Sequence, residues 1–299
     1  MSDGTEGVEG FALDTRWVQR SFDRAAAGYD SAAVLHTQVR RDLLERLQLM
    51  AITPGVVLDA GAGTGHASRA LKGRYPKALV IALDFSAQML RMAGRRQSWL
   101  RRFSRVCGDA ESLPLAEGSV DLVVSNLMLQ WCDPDAVFWE FRRVLAPRGL
   151  LCFTTFGPDT LRELRSAWAQ VDTATHVNPF LDMHDVGDAL VRAGFISPVL
   201  DVERFTLRYT DVRRVAEDLK ATGARNAASA RRRGLSSPRK FAAMQAAYEQ
   251  FREDGLLPAT HEVVFAHAWA PASSSRNRPD GAEVSLQELK RQLKLRRPS

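Results

Sequence analysis

The chain has 299 residues, 45% of them hydrophobic and 25% charged, and its 41 Lys and Arg against 35 Asp and Glu give a formal net charge of +6. These proportions are those of a globular protein, and they exclude a fully disordered, collagen-like or disulfide-stapled chain. The length accommodates one large α/β domain with insertions.

In chain order, residues 1–14 carry four acids and no base and read as a disordered acidic lead, neither a secretory signal nor an Arg-rich transit peptide. An amphipathic helical segment precedes the core and contains Phe22 and Tyr29, and a helix follows over Val34–Leu49. Val56-Val57-Leu58-Asp59 is a short apolar strand that runs straight into Ala60-Gly61-Ala62-Gly63-Thr64-Gly65, with a helix over His66–Leu71. A second strand, Leu79–Leu83, again ends in an acid, Asp84, and Ser86 caps the helix Ala87–Arg95. Arg105-Val106-Cys107 leads to Asp109-Ala110, and Val120–Ser125 is a fourth strand. Ala136–Leu145 is a helix stopped by Pro147 and Gly149, and Leu150–Phe156 is a fifth strand. Strands alternating with ten-residue helices predict a mostly parallel sheet covered on both faces.

The second half is less regular. Thr160–Val171 and Val186–Ala193 read as helices, Val199–Val202 and Phe205–Tyr209 as strands, Val212–Thr222 and Phe241–Phe251 as helices, and Glu262–Ala270 as a final strand. The excursion over about 210–258 is a candidate lid within one domain, 15–270, and 271–299 reads as a basic flexible tail. No run of about eighteen apolar residues predicts a membrane span. Cys107, Cys132 and Cys152 lack paired-ligand spacing, so no metal site is expected and a reducing, cytoplasmic setting fits.

Three glycines between a strand and a helix, Gly61, Gly63 and Gly65, form a turn where backbone can approach a ligand. The spacing is GxGxG, not the GxGxxG that faces a pyrophosphate. Asp59 just before it suits a cofactor with a positive amine better than a diphosphate. Asp84 at the end of the second strand can accept both hydroxyls of a ribose, and Asp109 can meet an adenine amino group.

VLDAGAGTG (57–65), ALD (82–84), GDAESLPL (108–115), SVDLVVSNLMLQW (119–131) and FRRVLAPRGLLCFTTF (141–156) together resemble the class I S-adenosylmethionine-dependent methyltransferases. The resemblance implies a Rossmann-like sheet of seven strands, mostly parallel with the last antiparallel, and a helical lid insertion. It implies S-adenosyl-L-methionine as cofactor, with Gly61, Gly63 and Gly65 around its methionine part, Asp84 on ribose, Asp109 and Ala110 at adenine, and Asn126 and Leu127 lining the pocket. Motifs of this kind say little about the methyl acceptor, because one fold serves many.

Further segments, Val18–Asp30, Asn126–Cys132, Phe153–Gly157 with Thr160–Leu164 and His176–Phe180, and Asp218–Ala224, resemble the malonyl-acyl-carrier-protein O-methyltransferases of biotin synthesis. That likeness implies methylation of the free carboxylate of a malonyl thioester, with malonyl-acyl carrier protein or malonyl-coenzyme A as partner. The ester disguises the malonyl group as a primer, and elongation then yields a pimeloyl methyl ester. A carboxylate needs no strong general base, only positioning and hydrogen-bond donors. Tyr29 and His176 are the candidate donors, Trp131 a candidate wall beside the methyl, and Arg208 a candidate carboxylate fork. Acyl carrier proteins are acidic, so the basic run Arg231–Arg233 with Arg239 and Lys240 is a candidate steering surface. The acid-free run Arg91–Arg105, with six arginines, ranks behind it.

Alternatives stay open. FGPDTLRELR (156–165), Pro258-Ala259-Thr260 and Val284-Ser285-Leu286 echo the methyltransferase-like arginine hydroxylases of complex I assembly, and a ubiquinone-type or other small-molecule methyltransferase shares the fold. Asn126-Leu127-Met128-Leu129 is not the NPPY-type tetrad of adenine methylation, and no aromatic-interleaved basic repeat argues for nucleic acid.

Overall fold

The computed structural model describes residues 14–224 and 237–272. The expected lead and tail, and the arginines 231–233, lie outside the described residues, apart from Asp14 and residues 271–272.

Seven strands form one sheet in the order β3-β2-β1-β4-β5-β7-β6: β1 Val56–Ala60, β2 Leu79–Asp84, β3 Ser104–Cys107, β4 Val120–Asn126, β5 Leu145–Phe156, β6 Ile196–Tyr209 and β7 Leu257–Trp269. β1 to β5 pair in parallel, and β7 runs antiparallel to both β5 and β6. The pattern is the seven-stranded, mostly parallel arrangement with an antiparallel last strand that the motifs implied.

Alternation along the strands sends side chains to two separate cores. Leu58, Val123, Leu151 and Phe153 pack with Phe138 and Phe141 of α6 (Pro134–Val144) and Leu190 of α8 (Met183–Arg192). Val57, Leu122, Val124 and Leu150 pack on the other face against Val39 of α3 (Val34–Arg46), Leu71 of α4 (His66–Arg74) and Leu90 of α5 (Ala87–Arg96). A parallel sheet buried on both faces needs near-continuous apolar runs, and β1, β2 and β4 supply them. Each Val, Leu or Phe side chain taken out of water contributes about 1.5–3 kcal/mol.

A third cluster lies apart. Trp168 of α7 (Arg162–Ala169), Val215 of α9 (Val212–Ala221), and Met244 and Tyr248 of α10 (Pro238–Tyr248) pack onto Leu257 and Ala259 at the start of β7. The helical excursion therefore has a core of its own, seated on one end of the sheet.

Two boundaries differ from the sequence reading. Pro147 and Gly149 do not stop α6: the helix ends at Val144, and both residues fall within β5. The register jumps there from Val120↔Leu145 to Leu122↔Leu150, so the intervening residues bulge out of the ladder, and Pro147 costs no ladder bond inside that bulge. The two β-like stretches of residues 199–209 join into the single edge strand β6, because the long β7 offers a partner along its whole length.

Two short helices precede the core, α1 (Thr15–Ala25) and α2 (Tyr29–Ala32). Asp14 caps α1 by accepting from the Trp17 amide at 3.0 Å. Among the described residues, no helix is long and apolar enough to cross a membrane.

Candidate functional site

Strand order reverses between β1 and β4: β2 and β3 lie to one side of the pair, β5 to the other. In an open α/β sheet the crevice at the carboxyl ends of the strands at such a point is where ligands bind. A cavity sits there, bounded by Gly61, Gly63, Asp84, Asp109, Asn126 and Trp131.

The turn after β1 makes this crevice. Gly61, Gly63 and Gly65 all have positive φ, at 73°, 53° and 80°. A Cβ on Gly61 would lie 2.4 Å from Met128 Cγ, and one on Gly65 would lie 2.7 Å from Ala93 Cβ. The Gly61 and Ala62 amides both donate to the Leu83 carbonyl at 2.9 Å, which ties the loop to the end of β2.

Asp84, at the end of β2, is buried and accepts the Gly63 and Ser86 amides at 2.8 Å each. Burial pushes its carboxyl up to about 6, and those two amides pull it part of the way back. Asp84 lines the cavity together with Asp109, Glu111 and Asn126. Asp109 is exposed at the other end, held by the Glu111 amide at 3.0 Å, with buried Ala110 beside it. Leu127 follows β4 at φ 51°, a strained conformation for a leucine. Its amide donates to Thr154 Oγ1 at 3.0 Å, and Thr154 in turn donates to Asn126 Oδ1 at 3.1 Å.

Asp59 lies beneath the loop, in a smaller recess that opens on the other side of Gly61 and Gly63. It is buried and hydrogen-bonded by the Ser68 hydroxyl, and desolvation lifts its carboxyl to about 6. The same recess is lined by Arg40 of α3, whose guanidinium burial holds below its usual range. A carboxylate and a guanidinium facing one recess match the ammonium and carboxylate of an amino acid. Arg40 escaped the sequence reading because it sits in an ordinary amphipathic helix with no motif around it.

The N-terminal helices close the front. Asp30 accepts from Thr64 Oγ1 at 2.6 Å, pairs with Arg96, and lies 3.3 Å from His66 Nε2. Asp23 accepts from Ser86 Oγ at 2.6 Å, and Gln19 Nε2 donates to the Phe85 carbonyl at 2.7 Å. Phe22 fits between Phe85 and Trp131, with ring centroids 5.9 and 5.5 Å away.

A second, larger cavity adjoins the first, and Trp131 lines both. Its walls come from α3 (His36), the end of β5 (Phe156), the loop before α8 (His176, Phe180), α9 (Leu219) and β7 (His261). The segment leading to α7 is fixed across β7: Leu161 donates its amide to the Thr260 carbonyl at 2.7 Å, and Glu262 accepts the Asp159 amide at 2.8 Å.

The candidate substrate residues thus part company. Tyr29 lines the first cavity and the recess, its ring 5.7 Å from that of His36, and burial drives its hydroxyl well above the usual range, so it stays a protonated donor. Trp131 stands between the cavities. His176 lines the large cavity, stacked on Trp168 at 3.7 Å, with Nε2 2.7 Å from Asp172. Asp172 also accepts from Lys240 Nζ at 2.7 Å, and these two partners hold its carboxyl well below the usual range. Arg208 is the correction: it lines neither cavity. Alternation along β6 turns Leu207 and Tyr209 inward and leaves Arg208 outside, 3.7 Å from Glu253. The sequence reading also missed His36 and His261, which belong to distant elements and have no neighbouring motif.

Residues 58–153 match the family model described as a methyltransferase domain. A malonyl-[acyl-carrier protein] O-methyltransferase from Methylovorus sp. (strain MP688) is 54% identical over 271 residues, covering 88% of this chain and 92% of its own. The protein of that name from Laribacter hongkongensis (strain HLHK9) is 53% identical over 287 residues, covering 93% and 97%. Among solved structures, the YcgJ protein from Bacillus subtilis shares the fold with a TM-score of 0.56 at 14% identity, over 78% of this chain and 99% of that one. With identity of this order along nearly its whole length, and with the glycine turn and strand-end acids gathered at one crevice, the chain belongs to the malonyl-[acyl-carrier protein] O-methyltransferase family.

Proposed function

We propose that this enzyme methylates the free carboxylate of a malonyl thioester, carried on acyl carrier protein or coenzyme A, with S-adenosyl-L-methionine as methyl donor. The residues fit that cofactor. Asp59 and Arg40 suit the ammonium and carboxylate of its methionine part, Asp84 the ribose diol, and Asp109 with Ala110 the adenine edge. When bound, it supplies an electrophilic methyl: the carboxylate O–C bond forms as the S–C bond breaks, the electron pair stays on sulfur, and no proton changes hands.

The chain's part is positioning and exclusion of water. The observation that carries the reading is the junction of the two cavities. Trp131 forms that junction, and beside it stand Tyr29, on the first cavity and the recess, and His36, on the large cavity and the recess; burial keeps the phenol protonated and holds the imidazole down to about 4, so both are uncharged. Neutral donors orient a carboxylate without tying up its lone pairs in a strong ion pair. The large cavity behind Trp131 has room for a thioester arm, and α9 forms part of its wall. In this reading α9 and α10 act as a lid, and His176 serves the arm rather than the reacting carboxylate. That the relatives named above are O-methyltransferases favours this activity over a hydroxylase.

The test is methyl-ester formation, detected by mass, when the purified protein and S-adenosylmethionine are offered malonyl-carrier protein, malonyl-coenzyme A and free malonate. Ester on the thioesters is expected. Cofactor binding without ester on either thioester would overturn the proposal.

A further inference from the structure

His36 stands on α3 at the wall between the recess under the glycine turn and the large cavity, and lines both. Its position is fixed from three sides. The Asn126 side-chain amide donates to its backbone carbonyl at 3.3 Å, the Tyr29 ring lies 5.7 Å away, and the Phe156 ring meets it edge-on at 6.4 Å. One ring nitrogen, Nδ1, is occluded from solvent and has no hydrogen-bond partner.

The tautomer follows from that occlusion. An orphaned buried N–H is rarer and costlier than an unpaired acceptor, so the bare nitrogen carries the lone pair and Nε2 carries the proton. The edge of the ring that meets the cavities is then a donor. His261, on the other side of Phe156, has the opposite arrangement. Its Nδ1 lies 3.1 Å from the Ala259 carbonyl and must donate to it, which leaves Nε2 as an acceptor. Of these two imidazoles on the wall of the large cavity, His36 thus offers an N–H and His261 a lone pair, so His36 is the one suited to an anion.

We propose that His36, through Nε2–H, binds the substrate carboxylate directly and holds it toward the methyl donor; this rests on the carboxyl-methylation reading above. Tyr29 supplies a second donor from the same corner. Burial first, then the fields of His261 and Arg40, keep the imidazole uncharged down to about 4, so the bond orients the carboxylate without a formal ion pair.

Three variants of the full chain test this: His36→Ala, His36→Gln and His261→Ala. Each is measured for kcat and KM on a malonyl thioester and for cofactor affinity by calorimetry. Each is also measured for inhibition by the acetyl thioester, which lacks the carboxylate. Losing a hydrogen bond to a charged group predicts a fall of about 10- to 100-fold in kcat/KM for His36→Ala. Cofactor affinity and acetyl-thioester inhibition should stay within about two-fold in the same variant, a change too small to count as a lost contact. His36→Gln keeps an N–H donor and should recover most of the loss, and His261→Ala should lose less than His36→Ala. An unchanged kcat/KM in His36→Ala would overturn the assignment. So would equal losses in acetyl-thioester binding, or no recovery by Gln in a protein that still binds cofactor normally. A wild-type chain that esterifies no malonyl thioester would remove the carboxylate reading itself, and the His36 assignment with it.

Discussion

The two cavities differ in how the chain builds them. Beneath the cover of the N-terminal helices and α3, the crevice at the glycine turn is made of strand ends and the turns that follow them, four short contiguous segments around residues 59–65, 84–86, 109–111 and 126–131. The large cavity is assembled from α3, the end of β5, the loop before α8, α9 and β7, elements spread over more than 200 residues. The first is rigid for reasons of backbone geometry: positive φ at glycines, amides donating into Asp84, a turn anchored on Leu83. The second depends on side chains that meet only after folding. Backbone-built sites should fail sharply on a single substitution, and side-chain-built sites should fail by degrees.

The sharpest break in that comparison is expected at Gly61. Alanine there must hold φ 73° and place its Cβ 2.4 Å from Met128 Cγ, whereas alanine at Gly63 meets nothing within 4 Å. Strain of about 1–2 kcal/mol is common to both, and the clash adds roughly 1–3 kcal/mol at Gly61 alone. Calorimetric cofactor affinity should fall about 5- to 150-fold further in Gly61→Ala than in Gly63→Ala, the equivalent of that difference. Equal effects would mean that the turn does not need the close approach of Met128.

Asp84→Asn comes next. It keeps the shape but removes the charge that suits a diol, so a loss of about 1.5–3 kcal/mol in cofactor affinity is expected. The wild-type affinity should also depend on pH in a defined direction. Asp84 and Asp59 are both raised to about 6, so they are ionised above that value and become neutral as pH falls through it. Cofactor binding should therefore weaken on going from pH 7.5 to 5.5. The part of that slope owed to Asp84 should be absent in Asp84→Asn.

Asp30→Ala sharpens the comparison from the other side, because Asp30 is where the N-terminal helices grip the glycine turn through Thr64, Arg96 and His66. Both cavities should suffer, with about 1–2 kcal/mol less affinity for cofactor and faster proteolysis within α1 and α2. An unaffected substrate KM would show that the N-terminal cover serves the cofactor alone.

Smaller still is the expected effect of Lys240→Ala, which frees one partner of Asp172 and loosens α10 from the loop that holds His176. The substrate KM should rise modestly while cofactor affinity stays unchanged. Arg208→Ala should do least of all. Its exposed pairing with Glu253 is worth at most about 1 kcal/mol, and its side chain reaches neither cavity.

The crevice at the glycine turn was legible in the sequence because its making is local. A glycine turn between strand and helix, and acids at successive strand ends, sit within a few residues of the secondary-structure boundaries that place them. Gly61, Gly63, Asp84, Asp109, Asn126 and Leu127 all surround one crevice, and Gly65 packs its turn against α5. Asp59 was legible too, but only folding shows that it faces a separate recess with Arg40. Beyond that crevice the sequence named Trp131, Tyr29 and His176 as substrate-side candidates, of which Trp131 and His176 line the large cavity and Tyr29 the first cavity and the recess. Arg208 looked suitable by chemistry, and only the alternation of β6 against β7 turned it outward. His36 and His261 carried no signal, since a histidine in a helix or a strand is ordinary until burial and an unpaired nitrogen single it out.

By itself, then, the sequence determined the strand–helix alternation, the glycine turn and the acids at the strand ends. These follow from apolar periodicity and backbone freedom, which act over a few residues. Tertiary structure alone decided which side chains meet behind Trp131, and that Nδ1 of His36 is left without a partner while Nδ1 of His261 meets a carbonyl. It also decided that the N-terminal helices close over the crevice. Those outcomes depend on burial and on partners brought together from opposite ends of the chain, and no short-range pattern encodes them.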